Sequence, residues 1–297
     1  MCFVLFYYLT MNKLKAYAKI NLNLHLLPNK LKSGFYPIRY INCQINLFDD
    51  IFLEKTENKI VFSSSNSKGL PKISKNLVYK AAVLLKNEFK NKNFGAKIKL
   101  IKNIPIKAGF GGGSSDAALV ILSLIKLWKI KVNEKQLFNI ANQLGKEVFY
   151  YLKGGVCEVL KDGTLVNKIN NKSPKIWLVL VSPKNKKPST AYMFKNLNKS
   201  LIGKQVNKFN EMKKAFLKKN IKNIIKNLHN DFETLAIRKY PEILKIKEDF
   251  KRHNAENSVM TGAGLYIVGF FKNKKSATIA YNKLRIKYKS AILTHTK

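Results

Sequence analysis

Between Leu14 and Leu26 every second residue is apolar: Leu14, Ala16, Ala18, Ile20, Leu22, Leu24 and Leu26 alternate with mostly polar neighbours. A period of two sends one row of side chains inward and the other outward, so this stretch predicts a half-buried strand with Lys19 on its polar face. Further strands are expected at 40–54 and 60–63. Helical spacing then runs from Ser74, a serine suited to cap a first turn, to about Phe89. A strand at 96–102 leads through a glycine-rich segment into an apolar helix at 115–128, and a second helix at 133–144 stops at Gly145 as at a C-cap. Strands near 155–160 and 176–182 come next. Beyond Pro188 helices dominate, at 189–196, 206–219, 221–228 and 241–253. A strand, glycine turn and strand over 258–271, a helix at 274–287 and a short last strand complete the chain. Blocks of strands and helices predict an α+β protein, with a boundary in 161–175 where K-D-G and N-K-S-P supply turn chemistry.

The composition supports a folded chain and narrows its class. With 297 residues, 46% hydrophobic and 25% charged, there is enough apolar material for one large or two modest cores, which excludes a disordered tail. Cys2, Cys43 and Cys157 lie far apart without a CxxC pair, and His25, His229, His253 and His295 are equally scattered. That pattern excludes a disulfide scaffold or zinc module, and no metal-binding side chains are expected. The longest apolar run, MCFVLFYYL, is about half the length of a membrane span. Residues 1–10 also lack the basic start and small-residue cleavage site of a signal peptide, and Met11 reads as a natural beginning, so the cytoplasm is the expected location.

The formal charge of +39 suggests a polyanion partner at first sight. Only four of the 56 basic residues are arginine, however, the side chain best suited to bidentate phosphate recognition. The lysines are spread along the whole chain among abundant asparagine and isoleucine, residues that share A/T-rich codons. A solvated lysine surface is the expected reading, rather than a nucleic-acid groove.

The candidate chemistry centres on the segment Pro105-Ile106-Lys107-Ala108-Gly109-Phe110-Gly111-Gly112-Gly113-Ser114-Ser115. Its glycines permit positive φ and close backbone approach, so successive amides can form an anion-binding nest. Ser114 and Ser115 stand where a helix begins, with hydroxyls able to meet a phosphate oxygen or a magnesium ion. The segment matches neither GxxxxGK[ST] nor GxGxxG. A second glycine turn, Met260-Thr261-Gly262-Ala263-Gly264, separates two apolar strands and can approach a ligand held by the first loop. Glu147 precedes the apolar run Val148-Phe149-Tyr150-Tyr151, where partial desolvation would raise its pKa and suit it as a base. Asp116, just inside the helix, reads as a helix-dipole partner and as an alternative acid.

In this order, A-K-I-N-L at 18–22, I-P-I-K-A-G-F-G-G-G-S-S-D-A-A at 104–118 and M-T-G-A-G at 260–264 resemble the three motifs of the GHMP superfamily of small-molecule kinases. N-L-V-Y-K-A-A at 76–82, P-S-T-A-Y at 188–192, N-D-F-E at 230–233 and Y-P-E-I at 240–243 look like its branch acting on a diphosphocytidyl methylerythritol in the non-mevalonate isoprenoid pathway. The resemblance implies a ribosomal-S5-like N-terminal domain at 11–165 and a ferredoxin-like C-terminal domain at 166–297, with ligands in the cleft between them. It further implies ATP, with Mg2+, as phosphoryl donor held by residues 105–115, and the substrate's 2-hydroxyl as acceptor. Lys19 and Glu147 map to the family's catalytic lysine and aspartate; the glutamate is a departure that moves the carboxylate by on the order of 1 Å. Asn21, Phe35, Tyr36, Thr190, Thr261 and Gly262 map to the substrate side. Phe35-Tyr36 stands where the family carries a tyrosine and a histidine: Phe35 keeps a face for cytosine and Tyr36 one hydroxyl. The pair leaves open a homoserine- or mevalonate-like acceptor. A basic nucleic-acid-binding protein on the same fold is the alternative from another class, and the expected assembly is a monomer or homodimer.

Overall fold

The structure, a computed structural model, describes residues 12–32, 34, 36–65, 69–89, 93–184, 190–198, 200 and 202–297. Residues 1–11, Phe35, Pro188 and Ser189 therefore lie outside the described residues. The chain opens with strands β1 (Asn12–Leu26), β2 (Ile38–Thr56) and β3 (Ile60–Ser65), helix α1 (Leu77–Glu88) and strand β4 (Gly95–Ile101). Helices α2 (Gly112–Leu127), α3 (Glu134–Leu144) and α4 (Lys146–Lys153) lead to strands β5 (Val156–Leu160), β6 (Leu165–Asn170) and β7 (Trp177–Val181). Next come α5 (Thr190–Lys195), α6 (Asn207–Leu217), α7 (Ile221–Lys226) and the two-residue β8 (His229–Asn230). Helices α8 (Glu233–Lys239) and α9 (Glu242–Arg252), the hairpin β9 (Asn257–Met260) and β10 (Ile267–Phe271), α10 (Lys274–Lys287) and β11 (Ile292–His295) complete it.

The α+β expectation is met by two sheets. The larger follows β3-β4-β2-β1-β8, with β5 on β2 and β6 on β5; the smaller follows β11-β7-β10-β9. The long strand β2 serves two neighbours along its length: residues 50–56 pair with β4 and residues 40–43 with β5. One buried cluster fills the space between the larger sheet and α1 to α4 and continues through α8 and α9 to the smaller sheet and α10; a second joins Ala18, Ile20 and Leu22 of β1 to β7, α6 and β10.

The structure corrects the reading of β1. Its alternation is real, but the polar row is not solvated: Lys19, Asn21, Asn23 and His25 are all 4% exposed or less. Strand β8 runs parallel beside β1, and α6 and the β9–β10 turn close over that row. Buried polar groups need partners. Asn23 Oδ1 accepts the Ile41 amide at 3.2 Å, and the Thr261 hydroxyl accepts the Asn21 amide at 2.8 Å.

Other differences are local. Ser74 lies in a 3-10 turn, and Asn76 caps α1 by accepting the Val78 amide at 2.9 Å. Helix α2 begins at Gly112, three residues before Ser115, because the free helix-start amides are supplied by glycines that carry no side-chain cost there. The aromatic run after Gly145 folds as α4, burying Val148, Tyr150 and Tyr151, and 165–170 is a strand rather than turn.

Candidate active site

Two cavities meet at Gly109. The first, about 290 Å3, is lined by residues 105–114, with Lys102 and Asp116 behind them. The loop is held from below: the Lys19 amide donates to Phe110 O at 3.0 Å, and the Tyr151 hydroxyl donates to the same carbonyl at 2.8 Å. Gly111, with φ of 68°, is the turning point, and a Cβ there would lie 2.9 Å from Cε2 of Tyr151. The first helical bond closes from the Ser115 amide to Gly111 O at 2.9 Å. The preceding amides of α2 thus lack helical partners and sit at the positive end of its dipole, facing the cavity. Gly112 and Gly113 belong to this first turn rather than to a positive-φ nest.

Behind the loop lies a cluster that the sequence did not announce. Buried Lys102 donates to Asp116 Oδ2 at 2.9 Å and to Asp49, whose other oxygen accepts the amides of Asn103 and Ile104 at 2.6 and 2.8 Å. Burial pushes the Asp116 carboxyl well above the usual range, against the pull of Lys102. Burial alone would lower the Lys102 ammonium, but the two carboxylates outweigh it and raise it. Asp116 is therefore a side-chain partner in an ion cluster before it is a helix-dipole group.

The second cavity, about 310 Å3, contains Lys19, Asn21, Tyr40, Glu147, Phe194 and Gly262 in its wall. The Lys19 ammonium lies 3.1 Å from Glu147 Oε1 and donates to Asn21 Oδ1 at 3.0 Å. Asn21 Nδ2 donates to Asn42 Oδ1 at 2.6 Å, so two strand residues, Asn21 directly and Asn42 through it, hold the ammonium in place. Glu147 sits in the first turn of α4 with its side chain 40% exposed; the apolar run buries the opposite face of that helix and does not enclose the carboxylate. Beside the pair, burial and Glu147 hold the Tyr40 phenol far above its ordinary range.

Of the residues singled out from sequence, 105–114 line the first cavity, and Lys19, Asn21, Glu147 and Gly262 the second. Ser115 and Thr261 are turned elsewhere: the Ser115 hydroxyl donates to Tyr17 O at 2.7 Å, and Thr261 accepts from Asn21. Tyr36 is half-buried outside that wall, with the Lys30 ammonium 5.4 Å from its ring centre. Thr190 opens α5, the helix that brings Phe194 to the cavity. Sequence reasoning missed Lys102, Asp49, Tyr40, Asn42 and Phe194, none of which stands in a motif that marks it, and it quoted Phe232 within N-D-F-E without assigning it to the site.

Comparison with known proteins bears on the family and the fold. Residues 76–159 match the GHMP kinases N terminal domain, and residues 212–290 the GHMP kinases C terminal domain. The chain is 38% identical over 285 residues to the 4-diphosphocytidyl-2-C-methyl-D-erythritol kinase of Caldicellulosiruptor saccharolyticus, covering 95% of this chain and 96% of that one. It is 34% identical over 279 residues to the Clostridium perfringens protein of the same name, covering 93% and 94%. Its fold matches a crystal structure of 4-(cytidine 5'-diphospho)-2C-methyl-D-erythritol kinase with a TM-score of 0.82 at 24% identity, covering 96% of this chain and 99% of the other. A mevalonate kinase from L. major in complex with R-mevalonate matches at 0.70 and 14% identity, covering 97% and 96%.

Proposed function

The chain belongs to the 4-diphosphocytidyl-2-C-methyl-D-erythritol kinase family of the GHMP kinases, and from that premise we propose how it phosphorylates the 2-hydroxyl of that diphosphocytidyl alcohol with ATP. The observation that carries the reading is the junction at Gly109: an anion-binding helix start lines one cavity, and a lysine–carboxylate pair lines the other. ATP phosphates lie against the amides of residues 111–114, and the acceptor enters beside Lys19 and Glu147. Glu147 accepts the hydroxyl proton as the oxygen attacks, and Lys19 balances charge between acceptor and transferring phosphoryl group. Asn21, fixed by Asn42 and by the Thr261 hydroxyl, holds the ammonium in line. Phe194 and Tyr40 offer aromatic faces on the acceptor side, while Phe35 and Tyr36 are retained as substrate contacts by resemblance alone. The Ser114 hydroxyl and Asp116 Oδ1, which has no hydrogen-bond partner among the described residues, are hard oxygen donors that suit Mg2+. Bound there, the ion would neutralise charge on the phosphates.

No helix among the described residues is long and apolar enough to cross a membrane. We place the domain boundary beyond Asn170, so that β6 stays with its partner β5, rather than at 165. The homoserine- or mevalonate-like acceptor gains no support, since likeness to such kinases at 14–16% identity speaks for the fold alone. A nucleic-acid partner likewise has no observation in its favour. The test is ATP consumption by the purified chain with magnesium against diphosphocytidyl methylerythritol, homoserine and mevalonate, beside Glu147→Gln. Turnover confined to the first alcohol and lost in the variant supports the assignment; turnover that survives in Glu147→Gln removes the carboxylate from the mechanism.

A further inference from the structure

Where β1 pairs with β8, two histidines far apart in sequence are brought face to face. Asn23 lies opposite His229 and Leu24 opposite Asn230, which stacks the rings of His25 and His229 with centres 4.6 Å apart and planes within 15°. Asp231 completes the group: its Oδ1 meets His229 Nε2 at 2.6 Å, while its Oδ2 accepts the amides of Leu26 at 2.7 Å and Gly203 at 3.3 Å. One ligand-type atom from each of the three residues lies within 4.8 Å of the other two.

His25 is the anomaly in this arrangement. It is 0% exposed, yet among the described residues neither ring nitrogen has a hydrogen-bond partner. A buried polar atom left unpaired costs roughly 1–3 kcal/mol, and such an atom calls for a physical reason. Phe209 packs edge-on against the ring and offers nothing polar. Burial, together with the charges of His229, Lys208 and Arg39 and against that of Asp231, pulls His25 down to about 4. One of its ring nitrogens lies within 4.8 Å of the donor atoms of His229 and Asp231. Although burial raises Asp231, the His229 ring and the amides of Leu26 and Gly203 hold its carboxyl below the ordinary range, so the group also contains an anion.

We propose that His25, His229 and Asp231 form a binding site for a divalent transition-metal cation of the zinc type, distinct from the magnesium at the phosphates. Two imidazoles and one carboxylate are a donor set that such borderline cations favour and that magnesium does not. With ligand distances near 2.0–2.2 Å, tetrahedral donors end about 3.4 Å apart, so the group closes by roughly an ångström as the rings tilt. The hydrogen bond from His229 to Asp231 is exchanged for metal bonds, and His25 gains the partner it lacks. The His229 side chain, 18% exposed, gives the ion and a completing water their entry. The nearby charges of Lys208 and Arg39 oppose the cation, which limits affinity without removing the donors. Bound, the ion pins β8 to β1 directly below the acceptor cavity, whose wall includes Leu24 and Phe232.

The test is a Co2+ titration of the metal-stripped, full-length chain, read by visible d–d absorption and repeated with Zn2+ as displacing ion and by thermal midpoint. The expected result is one saturable site per chain, bleached by Zn2+, with a midpoint that rises with Zn2+. In His25→Leu and in His229→Gln, each shown folded by circular dichroism, Co2+ affinity should fall by at least about 10–100-fold. His229, being partly exposed, gives the reading if the core variant does not fold. Absence of a saturable band in the folded wild type, or a band unchanged in the folded variants, overturns the proposal.

Discussion

The two cavities are built from different material. The first is built chiefly on one local run: residues 105–114 wrap the cavity and then start a helix, with side chains such as Leu77 and Lys102 closing it from outside the run. The second is made of side chains from β1, β2, α4, α5 and the β9–β10 turn, with contacts such as Asn21 to Thr261 spanning 240 positions. A backbone site leaves a local mark, because only glycine supplies the required turn and close approach. A side-chain site leaves none, since each contributor is an ordinary residue until the fold assembles it.

That contrast breaks most readily at Lys19. Lys19→Ala should lower kcat by about 10³-fold with ATP affinity preserved, since the loss falls on the side-chain cavity alone; steady-state kinetics with nucleotide binding measured separately checks it, and wild-type-like turnover would sink the catalytic assignment. The acid limb of stability probes the same half. His25, held at about 4 instead of 6.5, takes up protons more readily when unfolded, so its contribution is present above pH 6.5 and is lost as pH falls towards 4. The loss should approach about 3 kcal/mol over that window. Urea denaturation at several pH values should show it, with a flatter profile in His25→Leu. Glu147→Asp restores the family's residue but withdraws the carboxylate from an ammonium now 3.1 Å away, and should cost up to about 100-fold in kcat unless α4 shifts to follow it. Equal or faster turnover would show that the longer side chain is uncompensated in the native enzyme. Gly111→Ala probes the backbone cavity: at φ of 68°, facing Tyr151, it should cost about 1–3 kcal/mol of stability and raise the KM for ATP while sparing acceptor affinity.

The same division explains what was legible in the sequence. The strand and helix periods located most elements, and α10 spans 274–287 as its spacing predicts. Periodicity failed where burial is two-sided: β1 reads as half-exposed because alternate positions are polar, yet Lys19 and Asn21 line the second cavity, and Asn23 and His25 are buried past the bulge that follows Asn21. It failed again at α4, where eight residues are too few to show a helical stripe and an aromatic run imitates a strand. Strand β8 has two residues and no pattern at all. Lys102 was hidden by abundance, one lysine among many, although its burial with Asp49 and Asp116 sets it apart. The scattered histidines gave no spacing signal because strand pairing, not sequence, joins His25 to His229.

The late arrival of β8 bears on how the chain emerges from the ribosome. Until α6, β8 and the β9–β10 turn have been made, β1 has neither its partner on that edge nor the cover over Lys19, Asn21, Asn23 and His25. The polar character of that row then keeps the waiting N-terminal half from presenting a sticky open edge during synthesis, when such edges invite aggregation. Buried polar residues of β1 thus double as solubilising groups for the nascent chain, and apolar replacements at these positions should raise losses to aggregation during translation beyond what the stability of the finished enzyme accounts for.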